Sequence, residues 1–380
     1  MKLFYRPTWI EIDLDRIKKN VQTLKEKHPD KQLLAVVKAN AYGHGDVEVS
    51  HAVLDAGAVG LAVSSLDEGL HLRQSGVTAP ILILGAIEFE DVLVAADSRL
   101  SITVMNELFL EKLSLCQFET PLNIHLKLNT GMNRLGFDDM NRLKIILQRL
   151  QRNSNVKVEG VFTHFATADD VSLTQTSNQV RQFEKMLQEL ELEELPKIHV
   201  SNTAATLRMS HDFDQLVRVG LGIYGLYPDS KAWGEDLKPA LSLYSRLTQV
   251  RWLEPGECVG YGATYEAESG HWMGVIPIGY ADGWWRDHQG RCVMINGQAC
   301  EIIGRVCMDQ LMVKLPYQME VGDRVTLIGD KMPIYQVANE LETITYEVLC
   351  GLSDRIPRVY LSKNQPLRVN RMRFQHKKCS

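Results

Sequence analysis

The chain is 380 residues long, with 45% hydrophobic and 23% charged residues and a formal net charge of −5. That length accommodates two domains, or one barrel of ~250 residues with an addition, and it buries a large core. The composition excludes general disorder, and the mild acidity gives no reason to expect nucleic acid or an anionic membrane as partner.

The N-terminus, MKLFYRPTWIEIDLD, turns acidic where a signal peptide would be apolar, and no stretch approaches the ~20 apolar residues that span a bilayer; a soluble, cytoplasmic protein is expected. Seven cysteines, odd in number and scattered without a Cys-x-x-Cys pair, fit reduced thiols. A short strand at residues 9–12 leads to Asp13, which can cap a helix over 14–25 with Ile17, Val21 and Leu24 on one face. Residues 33–45, LLAVVKANAYGHG, then run from five strand-forming apolar residues to Lys38 and into a turn-rich loop. Burial disfavours an ammonium ion, so a lysine in this position is available as a nucleophilic amine, the requirement for Schiff-base chemistry with a carbonyl such as that of pyridoxal phosphate (PLP). Read alone, the stretch equally fits a lysine reaching water past a strand end.

Asp46 can cap a helix ending near Gly57, a strand follows at 60–63, and Ser65-Leu66-Asp67-Glu68 is a capping box opening a helix that ends at Gly76. Further strands are expected at 80–84, 101–104, 123–128, 160–165, 198–201 and 217–224, with helical stretches between most of them. Leu143, Ile146, Leu147 and Leu150 share one such face, and Phe183, Met186, Leu187 and Leu190 another. About eight strands alternating with helices is the order of an α/β fold of the (β/α)8, TIM-like type. Functional residues of such a barrel gather where strands end; Lys38, Lys127, Arg134, His164, Ser201 and Arg218 all lie at or just after expected ends.

Polar turn residues from Tyr227 to Lys231, closed by Pro239, mark a boundary: a barrel over 1–235, whose first short strand can join the other domain, and a mostly β domain over 236–380. Strand-like runs follow at 241–252, 274–277, 291–295, 299–306 and 324–328, with one helix near 335–341. Asn296-Gly297 signals a type I′ hairpin. Lys363, Arg368, Arg371, Arg373, Lys377 and Lys378 make a basic, solvated end.

Tyr42 and Ser201 offer hydroxyls, and Gly220 and Leu221 backbone N–H groups, that suit a phosphate; the glycine patterns around them are neither a dinucleotide fingerprint nor a P-loop. His164, inside an apolar run, reads by itself as a packed histidine. Lys127 and Arg134 read as surface charge or, for an anionic substrate, as a carboxylate clamp.

Taken in order, AVVKANAYGHG, KLNTGMNRLGF, GVFTHFATAD, HVSNTAATL, RVGLGIYG, VGYGATY, IPIGYADGW, GRVCMDQ and TITYEVLC resemble the alanine racemase family, from about residue 8 to about residue 360. The resemblance implies an N-terminal α/β barrel and a C-terminal β domain, with PLP on Lys38. It implies a phosphate held by Tyr42, Ser201, Gly220, Leu221 and Tyr346, with Arg218 facing the pyridine nitrogen. A permanent cation there keeps the nitrogen unprotonated and weakens the electron sink, which limits side reactions. Lys38 and Tyr261 would be the two bases, one on each face of the alanine Cα, with Tyr261 coming from the second subunit of a homodimer. His164 and Arg218 would form a hydrogen-bond chain with that tyrosine. Arg134 and the Met308 N–H would meet the substrate carboxylate, and Lys127 matches a lysine often carbamylated. Asp169, Tyr280, Arg286, Arg305, Asp309 and Ile344 fall where the family lines a narrow access corridor. Asn133 stands where glycine is common, and Leu221 replaces a frequent isoleucine; neither touches the mechanism. Cys307, beside Met308, reads as a packed corridor residue.

Three rivals are weaker. Decarboxylases of basic amino acids carry a glutamate where Arg218 stands, single-domain PLP-binding proteins lack a β domain, and serine racemases often replace the tyrosine matching Tyr346. The implied activity is interconversion of L- and D-alanine, supplying D-alanine for peptidoglycan.

Overall fold

A computed structural model describes residues 4–116, 119–151, 155–190, 196–228 and 236–370. The expected linker beyond Pro228, most of the basic tail and Cys379 fall outside them. The chain divides into two compact units, one of Arg16–Ala41 and Asp46–Pro239, the other of the chain up to Asp15, Tyr42–Gly45 and the chain from Ala240.

The opening strand, β1 (Thr8–Asp13), belongs to the second unit. The first unit holds β2 (Gln32–Val36), β3 (Gly60–Val63), β4 (Ile81–Ile83), β5 (Ser101–Val104), β6 (Leu122–Lys127), β7 (Val156–Phe162), β8 (Lys197–His199) and β9 (Leu216–Val219). They form one parallel sheet in the order β8-β7-β6-β5-β4-β3-β2-β9. Its two edges meet: Gln215 N–H donates to the Ile198 carbonyl (3.0 Å) and Arg218 N–H to that of Ser201 (2.9 Å). The result is a TIM-like barrel. Every residue of β3, β4, β5 and β9 is buried, as parallel strands wrapped by helices require. The wrapping helices bury one stripe each. Met140–Leu150 is capped by Asp139, whose side chain accepts from Arg142 N–H, and buries Met140, Leu143, Ile146, Leu147 and Leu150.

Two of the barrel's expected strands are shifted at an end by more than two residues. The one placed at 160–165 is β7, Val156–Phe162, whose earlier start the sequence hides because Lys157 and Glu159 interrupt the apolar run. The one placed at 217–224 stops at Val219; Gly220 turns the backbone (φ −104°, ψ −91°) and Leu221–Tyr224 closes into a 3₁₀ turn. Gly225 ends that turn at φ 83°, where a Cβ would lie 1.8 Å from the Lys238 carbonyl oxygen.

In the second unit β1 runs antiparallel to Leu241–Arg246 and parallel to Arg358–Ser362, inside a ten-stranded sheet. Cys292–Ile295 and Gln298–Ile303 form the hairpin expected at Asn296-Gly297, both of whose turn residues have positive φ (48° and 80°). Where the sequence predicts one helix there are two among the described residues, Ile334–Glu340 and Thr345–Gly351. The second contains Thr345, Tyr346, Val348, Cys350 and Gly351, all of low helix propensity, and the burial of Thr345, Val348 and Leu349 overrides that preference. The six described cysteines are free thiols. Among the described residues no helix is long and apolar enough to cross a membrane.

Candidate active site

Val37 N–H donates to the Ala62 carbonyl (2.9 Å), so β3 fixes the residue just before Lys38. Lys38 itself is half-buried, less enclosed than its apolar strand led us to expect, and therefore approachable at the C-terminal end of β2. The next residues, Ala39, Asn40, Ala41 and Tyr42, have φ of 52°, 53°, 51° and 52°, a left-handed turn that of the four only Asn40 readily adopts. Each such residue costs ~1–2 kcal/mol. The turn is held from several sides. Glu68, the last residue of the capping box, accepts from Ser64 N–H (2.6 Å) on one oxygen and from Ala39 N–H (2.7 Å) on the other. Asn40 Oδ1 accepts from Asp46 N–H (3.0 Å), and Ala41 N–H donates to the Val37 carbonyl (2.9 Å).

Arg218, on β9, is buried at 4% exposure. Its Nη1 donates to Nδ1 of His199 (3.0 Å) and to the His199 carbonyl (2.5 Å). Its Nη2 donates to the carbonyls of Thr163 (2.8 Å) and Val200 (3.3 Å) and to Nδ1 of His164 (3.3 Å). None of these five bonds uses the Nε–H. Burial lowers the guanidinium to about 10, a drift that Asp214 opposes, and it remains a cation at neutral pH. The His164 imidazole is held well below its usual range by burial and then by Arg218, Lys127, Arg134 and Lys38. It is therefore neutral, and because Nδ1 accepts from Arg218 its proton is on Nε2.

Lys127, at the end of β6, is lowered to about 8 by burial and then by Arg134, Arg218 and Lys38, and its Nζ lies 5.7 Å from the Phe162 ring centroid. Arg134 and Asp169 are exposed on the loops that follow β6 and β7. Ser201, after β8, is buried, and its hydroxyl makes no hydrogen bond among the described residues. Gly220 N–H donates to Thr203 Oγ1 (3.2 Å) and Gly222 N–H reaches the same oxygen (3.4 Å), which leaves Leu221 to offer a donor from that turn.

Sequence reasoning missed the residues that hold these groups. Gln179 donates to the His164 carbonyl (3.0 Å) and Thr130 Oγ1 (3.2 Å) and accepts from Ala166 N–H (2.9 Å), tying the loops after β6 and β7 together. Its signal was a polar residue one turn before Phe183 on an otherwise apolar helix face. His125 and His199 stand two residues before Lys127 and Ser201, so the two-residue strand period puts them on the same barrel-facing side.

The remaining expected residues are in the second unit. The Tyr42 and Tyr346 rings pack with centroids 5.9 Å apart, and burial, then Tyr346 and Cys350, push the Tyr42 phenol far above its usual range, so it is a hydrogen-bond donor. Gly43 follows at φ 76°, where a Cβ would meet the Leu349 carbonyl at 2.3 Å. Tyr261 is 73% exposed, at an open hollow of about 620 Å³ that Cys258, Cys307, Met308 and Asp309 also line. Tyr280, Met308 and Ile344 are exposed large side chains, and Arg286 and Arg305 are exposed as well. Asp309 pairs with Arg355 at 2.7 Å. Burial pushes the Cys307 thiol up, with Arg286 opposing, as befits a packing residue and not a nucleophile.

A closed parallel barrel that gathers a lysine, an arginine and a neutral histidine at the C-terminal ends of its strands defines an α/β-barrel enzyme. The chain belongs to the alanine racemase family, a family of isomerases: residues 12–228 match the family's model of the alanine racemase N-terminal domain and residues 240–360 that of its C-terminal domain. It is 47% identical over 378 residues to an alanine racemase of Geobacillus kaustophilus, covering 97% of this chain and 98% of that one. It is 44% identical over 377 residues to alanine racemase 1 of Bacillus subtilis, covering 97% and 96%. Among solved structures it is similar to alanine racemase from Bacillus anthracis with bound L-Ala-P, at TM-score 0.93 and 39% identity, covering 97% of this chain and 98% of that one. It is also similar to a histidine racemase from Leuconostoc mesenteroides subsp. sake, at TM-score 0.86 and 28% identity, covering 94% and 99%.

Proposed function

We propose that the chain interconverts L- and D-alanine in the cytoplasm with PLP held on Lys38, supplying D-alanine for peptidoglycan. The observation that carries this reading is Arg218: five hydrogen bonds fix its Nη atoms and, among the described residues, leave the Nε–H unengaged. That arrangement offers one donor of a permanent cation to a ring nitrogen that only accepts. The other groups fit as well. Ser201 carries a hydroxyl with no hydrogen bond among the described residues and Leu221 a backbone N–H, donors that suit an anionic phosphate; the Tyr42 and Tyr346 phenols are assigned to it from the family resemblance.

Bound PLP acidifies the α-proton of an amino acid attached to it. The chain must then supply a base on each face of Cα. Lys38 Nζ would serve one face and the Tyr261 oxygen the other. The exposure of Tyr261 suits a residue used by a second copy of this chain, so that each site of a homodimer is completed by its neighbour. His164, with its proton on Nε2, can donate to that oxygen and favour its anionic form, while Arg218 holds the ring in this tautomer. Arg134 and the Met308 N–H meet the substrate carboxylate. Lys127, its ammonium weakened by burial and three cations, is the amine best suited to take up CO₂ and so become an anion that steadies Arg134. Tyr280, Asp309 and their neighbours line the access corridor.

The test is direct. The loaded protein should show a visible absorption band that borohydride removes, leaving the reduced cofactor on the peptide containing Lys38; a Lys38→Ala protein with the same reducible band would refute the assignment. Single L-amino acids incubated with the loaded enzyme and read by chiral chromatography should give D-alanine fastest. Retention of Tyr346 leaves serine slower. Faster turnover of histidine, the substrate named for the Leuconostoc structure, would move the reading to another amino acid.

A further inference from the structure

We propose that Glu159 is a positioning residue for Arg218, acting through His125 and His199 as a one-way chain of hydrogen bonds along the barrel interior. This deepens the proposed function and rests on it for the role of Arg218. The chain has three links. His199 Nδ1 lies 3.0 Å from Arg218 Nη1, His199 Nε2 lies 2.7 Å from His125 Nδ1, and His125 Nε2 lies 3.3 Å from Glu159 Oε2. A guanidinium can only donate, so Nδ1 of His199 must accept. A neutral His199 then carries its proton on Nε2 and donates to Nδ1 of His125. That leaves the His125 proton on Nε2, where it needs an acceptor, and the carboxylate supplies one.

The charge states agree with this direction. Burial, then Arg218 and the other imidazole, hold His199 well below its usual range, and burial lowers His125 as well. The bond from His125 holds Glu159 down to about 2, so it is a carboxylate at neutral pH. Ser101 Oγ donates to the same Glu159 oxygen (2.9 Å), and Lys197 Nζ lies 4.0 Å from the other. The surrounding fold is built around the rings. Gly160 is the register partner of His125, and a Cβ there would lie 2.2 Å from His125 Nδ1. Phe162 stacks on His199 with centroids 4.6 Å apart and an 11° tilt, and Arg218 Cζ lies 5.1 Å from the same ring. Without an acceptor at 159, the His125 Nε2–H is a buried unpaired donor. The ring relieves this by turning or by moving its proton to Nδ1, and either change breaks the bond to His199 and frees Arg218 to shift.

The experiment labels histidine with ¹⁵N and reads ring tautomers by long-range ¹H–¹⁵N correlation in the cofactor-free protein at neutral pH. Both His125 and His199 should be single Nε2–H tautomers; either ring protonated on Nδ1, alone or in addition, overturns the proposal. Glu159→Leu should give mixed signals for both rings and, after PLP loading, a fall in kcat of about tenfold or more with KM within about threefold. Glu159→Gln, whose amide oxygen still accepts, should keep the wild-type ring signals and kcat within about threefold. Wild-type signals and kcat in the leucine variant, or equal losses in both variants, would also overturn it. Should the leucine variant not fold, the wild-type tautomers and the glutamine variant decide. The ring signals are read without cofactor, so failure to load PLP counts against the proposed function and not against the chain of hydrogen bonds.

Discussion

At Lys127 an ammonium group is buried beside Arg134, Arg218 and Lys38, and its value falls to about 8 from an ordinary 10.5. The folded protein therefore releases this proton more readily than the unfolded chain does. Between about 8 and 10.5 the unfolded chain binds more protons, so this group's contribution to stability rises with pH across that window. Below 8 its full destabilising effect is present. Lys127→Met, which keeps the apolar stem over Phe162, should accordingly raise the thermal midpoint of the cofactor-free protein at pH 7 in CO₂-depleted buffer. The advantage should shrink as the pH is raised from 8 towards 10.5, where the wild-type lysine loses its charge in both states. Calorimetry at several pH values checks the sign; a constant difference across that range would mean that packing, not charge, separates the two proteins.

The left-handed turn after β2 depends on a contact from another element. Glu68 closes the capping box of Leu66–Gln74 and, with its second oxygen, holds the Ala39 N–H 29 residues away. Glu68→Ala should lower stability by ~1–2 kcal/mol, the range for losing a cap, and should speed hydrogen exchange at the Ala39 amide beyond what neighbouring amides show. The capping box was plain in Ser65-Leu66-Asp67-Glu68, because its bonds span three residues. Its second role was not, because nothing local ties Glu68 to Ala39. The same division runs through the fold. β3 was legible to the residue from an uninterrupted apolar run and β5 from its β-branched Ile102-Thr103-Val104, whereas the start of β7 was hidden by Lys157, which is exposed, and Glu159, which is half-buried. A turn after Lys38 was legible, but its left-handed conformation over Ala39–Tyr42 was not, since alanine and tyrosine give no sign of positive φ. Lys38 and Arg218 stood out as charges at strand ends, but the acceptors that orient Arg218 are mostly carbonyls, on which sequence is silent.

At the scale of the molecule, the sequence pointed to a barrel, a mostly β domain that its first short strand can join, and an ordered set of family motifs, but not to the partner of that strand, Arg358–Ser362, a pairing that spans almost the whole chain. The second unit also presents Tyr261, Met308 and Ile344 at 73%, 53% and 59% exposure, unusual for large apolar side chains in residues that the family motifs single out. If a second copy covers them and lends its Tyr261, a Lys38→Ala protein and a Tyr261→Phe protein are each inactive for a different reason. In a mixed dimer one site combines both defects, while the other draws an intact Lys38 from one subunit and an intact Tyr261 from its neighbour. Random exchange makes half the dimers mixed, so equal amounts of the two variants should recover about a quarter of wild-type racemisation per subunit. The recovery should grow over the time of subunit exchange, followed by mass spectrometry of differently labelled chains, and should vanish if the two substitutions are placed in one chain and mixed with neither. Full exchange without any recovery would show that Lys38 and Tyr261 act from the same subunit, and the shared site would have to be abandoned while the cofactor assignment to Lys38 stood.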